Sequence, residues 1–222
     1  GLQGILDISQ KLIDSRIGTD SDDFVGTLVK ANLDGQKITN EELLSLVSMI
    51  VFAGFDTTRN QLGLGMQTFS AYPAQWKKLG ANPELGRLAV EEVMRVNPTI
   101  TWVSREASVD IEYKEITIKQ GTTVHLLTIP AGSDPAKFES PEFDIEKERA
   151  PHFGFGGGMH HCIGHYVARL DMKEAFKALA ARLPNMNVAE GATYLPDSGN
   201  TGPTSLPITF TPTKKISTLT SL

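Results

Sequence analysis

Apolar residues recur at helical spacing over most of the chain and alternate only in a middle stretch and near the end, which predicts a mainly α protein with small β-sheets. Leu2, Ile5, Leu6, Ile8, Leu12 and Ile13 mark an amphipathic helix within Gly1 to Arg16 that breaks before Gly18. Asp20 to Asp23 reads as an acidic turn, Phe24 to Ala31 as a second short helix, and Asp34-Gly35 as a turn. Thr39-Asn40-Glu41-Glu42 then has capping-box spacing, in which Thr39 bonds the third amide and Glu42 reaches back. A long helix is predicted from there, over Leu43 to about Phe69.

That helix carries Leu46, Val47, Met49, Ile50, Val51, Phe52 and Phe55 on nearly every face, which predicts burial through the middle of a molecule. Asp56, Thr57 and Thr58 interrupt the apolar run. By themselves they fit a threonine bonded back to a carbonyl and an acid at a solvated edge. Asn82-Pro83-Glu84 opens the next helix, since asparagine caps and proline suits the first position, and Asn97-Pro98 ends it. Within it Glu92 and Arg95 share a face; as an exposed pair they would contribute only about 0.2–0.5 kcal/mol. Ile111, Tyr113, Ile116 and Ile118 suggest a strand pair, and Val124, Leu126 and Ile129 a further strand. A helix through Tyr166, Leu170, Phe176 and Leu179 stops at Leu183-Pro184, and Leu206 to Phe210 looks like a terminal hairpin, with a turn near Gly202 to Ser205.

Composition adds bounds rather than identity. The 222 residues are 40% hydrophobic, enough for a sizeable core in a single domain spanning 1–222, and no internal repeat is visible. A net charge of -5 argues against nucleic acid as the main partner. No membrane span is evident, because the longest apolar stretch, Leu43 to Phe55, is interrupted by Ser45, Ser48 and Gly54. One cysteine excludes an internal disulfide and suits a reducing compartment, the cytoplasm.

That cysteine, Cys162, follows the glycine-rich run Phe153-Gly154-Phe155-Gly156-Gly157-Gly158-Met159-His160-His161 and precedes a predicted helix. Adjacent glycines let a backbone lie flat against a planar partner and adopt positive φ, while amides at a helix start favour thiolate over thiol. Other readings stay open on the residues alone. Cys162 could be a small buried hydrophobe, the glycines could cradle a phosphate, and His160, His161, Cys162 and His165 could hold zinc.

The spacing Phe155-x-x-Gly158-x-His160-x-Cys162-x-Gly164, followed by Ala168-Arg169, resembles the haem-binding loop of the cytochrome P-450 family. Ala53-Gly54-Phe55-Asp56-Thr57-Thr58 resembles that family's oxygen-binding segment, and Glu92-Val93-Met94-Arg95 its Glu-x-x-Arg helix. The resemblance runs over essentially the whole chain, in the order of the family's C-terminal, haem-binding half, with its long central helix and cysteine-loop helix. It implies haem b (iron protoporphyrin IX) with Cys162 as metal ligand, and Phe155, Gly156 and Gly164 shaping the loop. Arg105 and His160 would contact propionates, Ala53, Gly54, Asp56 and Thr57 would lie over the haem, and Asp56 and Thr57 would control proton delivery. Glu92 and Arg95 would form a structural brace completed by Lys147 or Arg149; Lys147 stands where the family usually has arginine and cannot supply a bidentate fork. Ala131-Gly132-Ser133-Asp134-Pro135 replaces the family's Ala-Asn-Arg-Asp-Pro segment.

The implied activity is a monooxygenase inserting one oxygen atom into a small apolar organic substrate. Its electrons would come from a ferredoxin or flavoprotein docking near Lys147, Arg149, Arg169 and Lys173. The turn near Gly202 to Ser205 would line the substrate pocket. The family's N-terminal half is expected from the same or another chain. An alternative is a haem-binding fragment or partner subunit without oxygenase activity of its own, and 222 residues by themselves are expected to expose apolar helix faces and associate.

Overall fold

The computed structural model describes residues 1–33 and 38–213. Helices dominate: α1 (Leu2–Asp14), α2 (Phe24–Leu33), α3 (Asn40–Ala71), α4 (Pro73–Ala81), α5 (Gly86–Val96), α6 (Thr128–Gly132) and α7 (His165–Arg182). The chain divides into two compact units, Gly1–Asp56 and Thr57–Leu222, so that α3 contributes residues to each. The turn expected at Asp34-Gly35 lies outside the described residues.

In the first unit Ile13, Val29, Leu43 and Val47 form a small core. The capping box that opens α3 is closed in both directions: Glu42 N donates to Thr39 Oγ1 at 3.2 Å, and Thr39 N donates to Glu42 Oε2 at 2.7 Å. From Asn40 the helix runs uninterrupted to Ala71. Its expected burial on every face is not found, since Met49, Phe52 and Phe55 are 58%, 62% and 71% exposed; only Leu43 and Val47 of its apolar residues here are buried.

The second unit has the larger core. Phe69, Trp76, Leu79, Val90, Val93, Phe143, Ile145, Met172 and Phe176 pack together, with Phe69 meeting Trp76, Phe143 and Phe176 at ring-centre distances of 5.0–5.6 Å. Helices α4, α5 and α7 enclose this core together with the last part of α3. Gly65 faces the Phe176 ring so closely that a Cβ there would overlap it, which explains a glycine within the helix. Asn82 caps a short 3₁₀ turn, Pro83–Leu85, by accepting from Glu84 N, and α5 follows at Gly86.

Among the described residues, four two-stranded antiparallel sheets belong to the second unit. β1 (Trp102–Glu106) pairs with β4 (Thr123–Leu127), and β2 (Ile111–Tyr113) with β3 (Ile116–Ile118). Arg105, expected just ahead of the sheet, is a strand residue facing Val124 in register. Ile129, expected in a strand, lies in α6, because the chain turns helical at Thr128, whose hydroxyl and amide both bond to Thr101 O. The terminal hairpin also differs from expectation. β5 (Asn187–Val188) pairs with β8 (Ile208–Thr209), and β6 (Thr193–Tyr194) pairs with β7 (Pro203–Ser205).

Candidate haem site

In the second unit a cavity of about 730 Å³ opens between the cysteine loop, one turn of α3 and the β1–β4 pair. The loop contributes Phe153 to Gly158, His160 and Cys162; α3 contributes Thr57, Thr58 and Gln61; Arg105, Val103, Leu126 and Leu127 close a further side. Thr57 and Thr58 lie one helical turn from Gln61, so the i, i+3 and i+4 spacing brings all three to one face. The volume falls within the range of about 300–1,000 Å³ usual for small-molecule and cofactor sites.

The loop's shape follows from its glycines. Gly156 and Gly158 have φ of +72° and +66°, which side-chain-bearing residues rarely adopt, whereas Gly157 is extended. A Cβ on Gly154 would crowd Met94. Gly156 N donates to Phe153 O at 2.8 Å, and Cys162 N donates to Phe155 O at 3.0 Å, so the loop folds back on itself. Cys162 is exposed and lines the cavity; α7 begins three residues later, at His165. The one cysteine of the chain thus lines this cavity from a loop that folds back on itself.

These features fit haem better than the alternatives. Glycines leave room for a planar group, and Arg105 and His160 supply hydrogen-bond donors on the cavity lining for its carboxylates. Cys162 is not buried, as a packing cysteine would be. Among the described residues no group of three or more His, Cys, Asp and Glu could hold a bare metal ion.

Helix α5 anchors a buried ion cluster. Arg95 Nε and Nη2 donate to the two carboxylate oxygens of Glu92 at 2.7 Å each, with both side chains 1% exposed. Arg95 also donates to Gly132 O at 2.6 Å and Pro141 O at 2.8 Å, and Asp144 N donates to Glu92 at 2.9 Å. The third member is Arg149, whose Nη2 lies 3.2 Å from Glu92 Oε1; Lys147 turns instead to Ser140 and Asp144. Gly132 has a function of its own in this cluster, because a Cβ there would collide with Arg95 O.

Not every residue named from the sequence lines this cavity. The stretch Gly202 to Ser205 does not line the cavity; Pro203 packs on Gly63 and Gly202 on Asn60 of α3. The suggested basic patch is largely engaged: Arg149 with Glu92, Arg169 with Glu91, and Lys173 with Glu174. Ala53, Gly54 and Asp56 belong to the first unit and Thr57 to the second.

Sequence reading missed Gln61. It is 2% exposed, donates to Asn97 O at 2.9 Å and accepts from Thr99 N at 2.7 Å, so it sets the path of the segment that brings Thr99 and Ile100 to the cavity. A buried amide four residues beyond Thr57 was the available signal. It also missed the link from Glu91 to His152 and Arg169, for which adjacent glutamates gave only a faint sign.

Comparison with known proteins agrees with this geometry. The family profile described as Cytochrome P450 matches residues 84–183. "Luteothin monooxygenase" of Streptomyces thioluteus is 39% identical over 213 residues, 95% of this chain and 52% of that protein. "Biotin biosynthesis cytochrome P450" of Bacillus subtilis (strain 168) is 36% identical over 203 residues, 90% of this chain and 51% of that protein. Among solved structures, CalO2 superposes with a TM-score of 0.88 at 30% identity, covering 95% of this chain and 54% of its own. The chain therefore belongs to the cytochrome P450 family and carries the fold of its C-terminal, haem-binding portion. It spans about half the length of the curated relatives it matches.

Proposed function

We propose that this chain forms the haem-holding and catalytic part of a monooxygenase that inserts one oxygen atom from dioxygen into a small, largely apolar organic molecule. The observation that carries the reading is the placement of Cys162 and Thr57 on the lining of one cavity. When bound, haem supplies oxygen activation, and a cysteine thiolate ligand pushes electron density that favours O–O cleavage, a general property of this family.

The chain's own residues do the rest. Cys162 would hold the haem iron through its sulfur, and Arg105 and His160 would hold the propionates through charge-assisted hydrogen bonds. Ile100, Val103, Leu126 and Leu127 offer an apolar wall that excludes water and selects apolar substrate. Thr57 Oγ1 would hold a water and supply a proton on the cavity side, and the Asp56 carboxylate would link that water to solvent. A ferredoxin or flavoprotein supplies electrons, and the single cysteine suits a cytoplasmic setting.

The exposed Ile163, Tyr166, Val167 and Leu170 favour a second reading for these residues taken alone, as a haem-binding piece whose oxygenase activity needs further polypeptide. The test is turnover of the full-length protein with an electron donor under isotopically labelled dioxygen. One labelled oxygen atom in product is expected; reductant consumption with unlabelled product contradicts the proposal.

A further inference from the structure

We propose that Glu91 is a positioning residue for the cysteine loop, binding His152 and Arg169 to α5 so that the charge and seating of the loop around Cys162 are fixed. This rests on the reading of Cys162 as the haem ligand.

Glu91 and Glu92 are neighbours on α5, about 100° apart around the helix axis, and they serve different partners. Glu92 faces the buried Arg95 and Arg149. Glu91 receives Arg169 in a two-pronged contact, Nε to Oε1 at 2.5 Å and Nη2 to Oε2 at 3.1 Å. It also receives His152 Nε2 on Oε2 at 3.1 Å. The ring of His152 is well placed to donate, because its Nδ1 accepts the Gly154 amide at 3.0 Å, which leaves the proton on Nε2. With its side chain 5% exposed, His152 is held on both ring nitrogens.

Both arms end on the cysteine loop. The histidine arm holds Gly154. The arginine arm holds Phe155, since the Arg169 guanidinium carbon lies 4.3 Å from that ring's centre, within cation–π range. Phe155 O in turn accepts from Cys162 N. One carboxylate thereby joins α5, the loop and α7 through two consecutive loop residues that lead to the ligand. Burial opposes its ionisation, but hydrogen bonds from His152 and Arg169 and the arginine charge outweigh this and hold its carboxyl at about 2. The carboxylate therefore stays charged and offsets the cation that Arg169 places over Phe155.

This balance makes a signed prediction that general loss of stability does not. Removing the negative charge leaves the cation uncompensated beside the loop, which favours the reduced, less positive centre. Removing the cation does the opposite. In the full-length haem-loaded protein, Glu91→Gln is expected to raise the midpoint reduction potential and Arg169→Gln to lower it. The double variant should return toward wild type, and Glu91→Asp, which keeps the charge, should stay closest to it. Haem dissociation should quicken several-fold in each single neutral variant. Potentials that move in the same direction in both, or do not move, overturn the proposal while a wild-type thiolate spectrum leaves the ligand assignment standing. A wild-type protein without that spectrum overturns both.

Discussion

Arg149 Nη2 approaches Glu92 Oε1 to 3.2 Å, on the same oxygen that Arg95 Nη2 reaches at 2.7 Å, so two guanidinium groups share one buried carboxylate. Arg149 is further tied to Ser140 O and Glu142 O, which joins α5 to the segment preceding the cysteine loop. Glu92→Ala strands Arg95 in the core and is expected to cost about 3–5 kcal/mol of stability, the usual penalty for an orphaned buried charge. Arg149→Ala should cost less, about 1–3 kcal/mol, by removing one charge-assisted hydrogen bond to the buried Glu92 carboxylate and two to backbone carbonyls. Lys147→Ala, at a side chain 48% exposed, should change stability by less than about 0.5 kcal/mol. Denaturant unfolding of the three variants ranks them; a Lys147 effect equal to that of Arg149 contradicts the assignment.

Arg105 and His160, which line the cavity, are proposed to hold the cofactor's carboxylates and not its metal. Arg105→Ala and His160→Ala are expected to raise the haem dissociation rate several-fold while preserving the thiolate spectrum. Transfer of haem to an apo-globin acceptor measures the rate. A changed axial ligand in either variant would show that the roles are misassigned.

For Thr57 and Asp56 the two substitutions should separate. Thr57→Ala in the full-length enzyme should leave reductant consumption largely intact while product per electron falls and peroxide rises. Asp56→Asn should slow turnover. Stoichiometry of product, peroxide and reductant distinguishes these outcomes, and full coupling in Thr57→Ala would assign proton control to substrate or ordered water.

Acid should weaken the Glu91 network in a defined window. Its folded-state pKa of about 2 lies below the ordinary 4.5, so its contribution is fully present above about 4.5 and is lost as pH falls toward 2. The stability difference between wild type and Glu91→Gln should therefore be constant above that range and shrink within it. Denaturant titrations at stepped pH read this directly; a difference that persists at pH 2 contradicts it.

Local signals were the legible part of the sequence. The capping box at Thr39, the Asn82-Pro83 start, the strand pair at Ile111 to Ile118 and the glycine loop each depend on a few adjacent residues, and each stands where the pattern puts it. What was not legible depends on distant partners. Pairing of β5 with β8 across about twenty residues, and of β6 with β7 across about ten, is set by packing and not by a short turn signal. Helix α4 is absent from the sequence reading, although proline at its first position suits a helix start. The choice of Arg149 over Lys147 turns on reach and fork geometry, and the Glu91 hub on tertiary contacts among α5, the loop and α7.

Cys162 is proposed to ligate haem as a thiolate, and the absorption spectrum of the reduced, carbon-monoxide-bound holoprotein tests this most directly. A strongly red-shifted Soret band that disappears in Cys162→His is the predicted result. A band at the position given by histidine-ligated haem in the wild-type protein, or a red-shifted band that survives loss of the only cysteine, would contradict it.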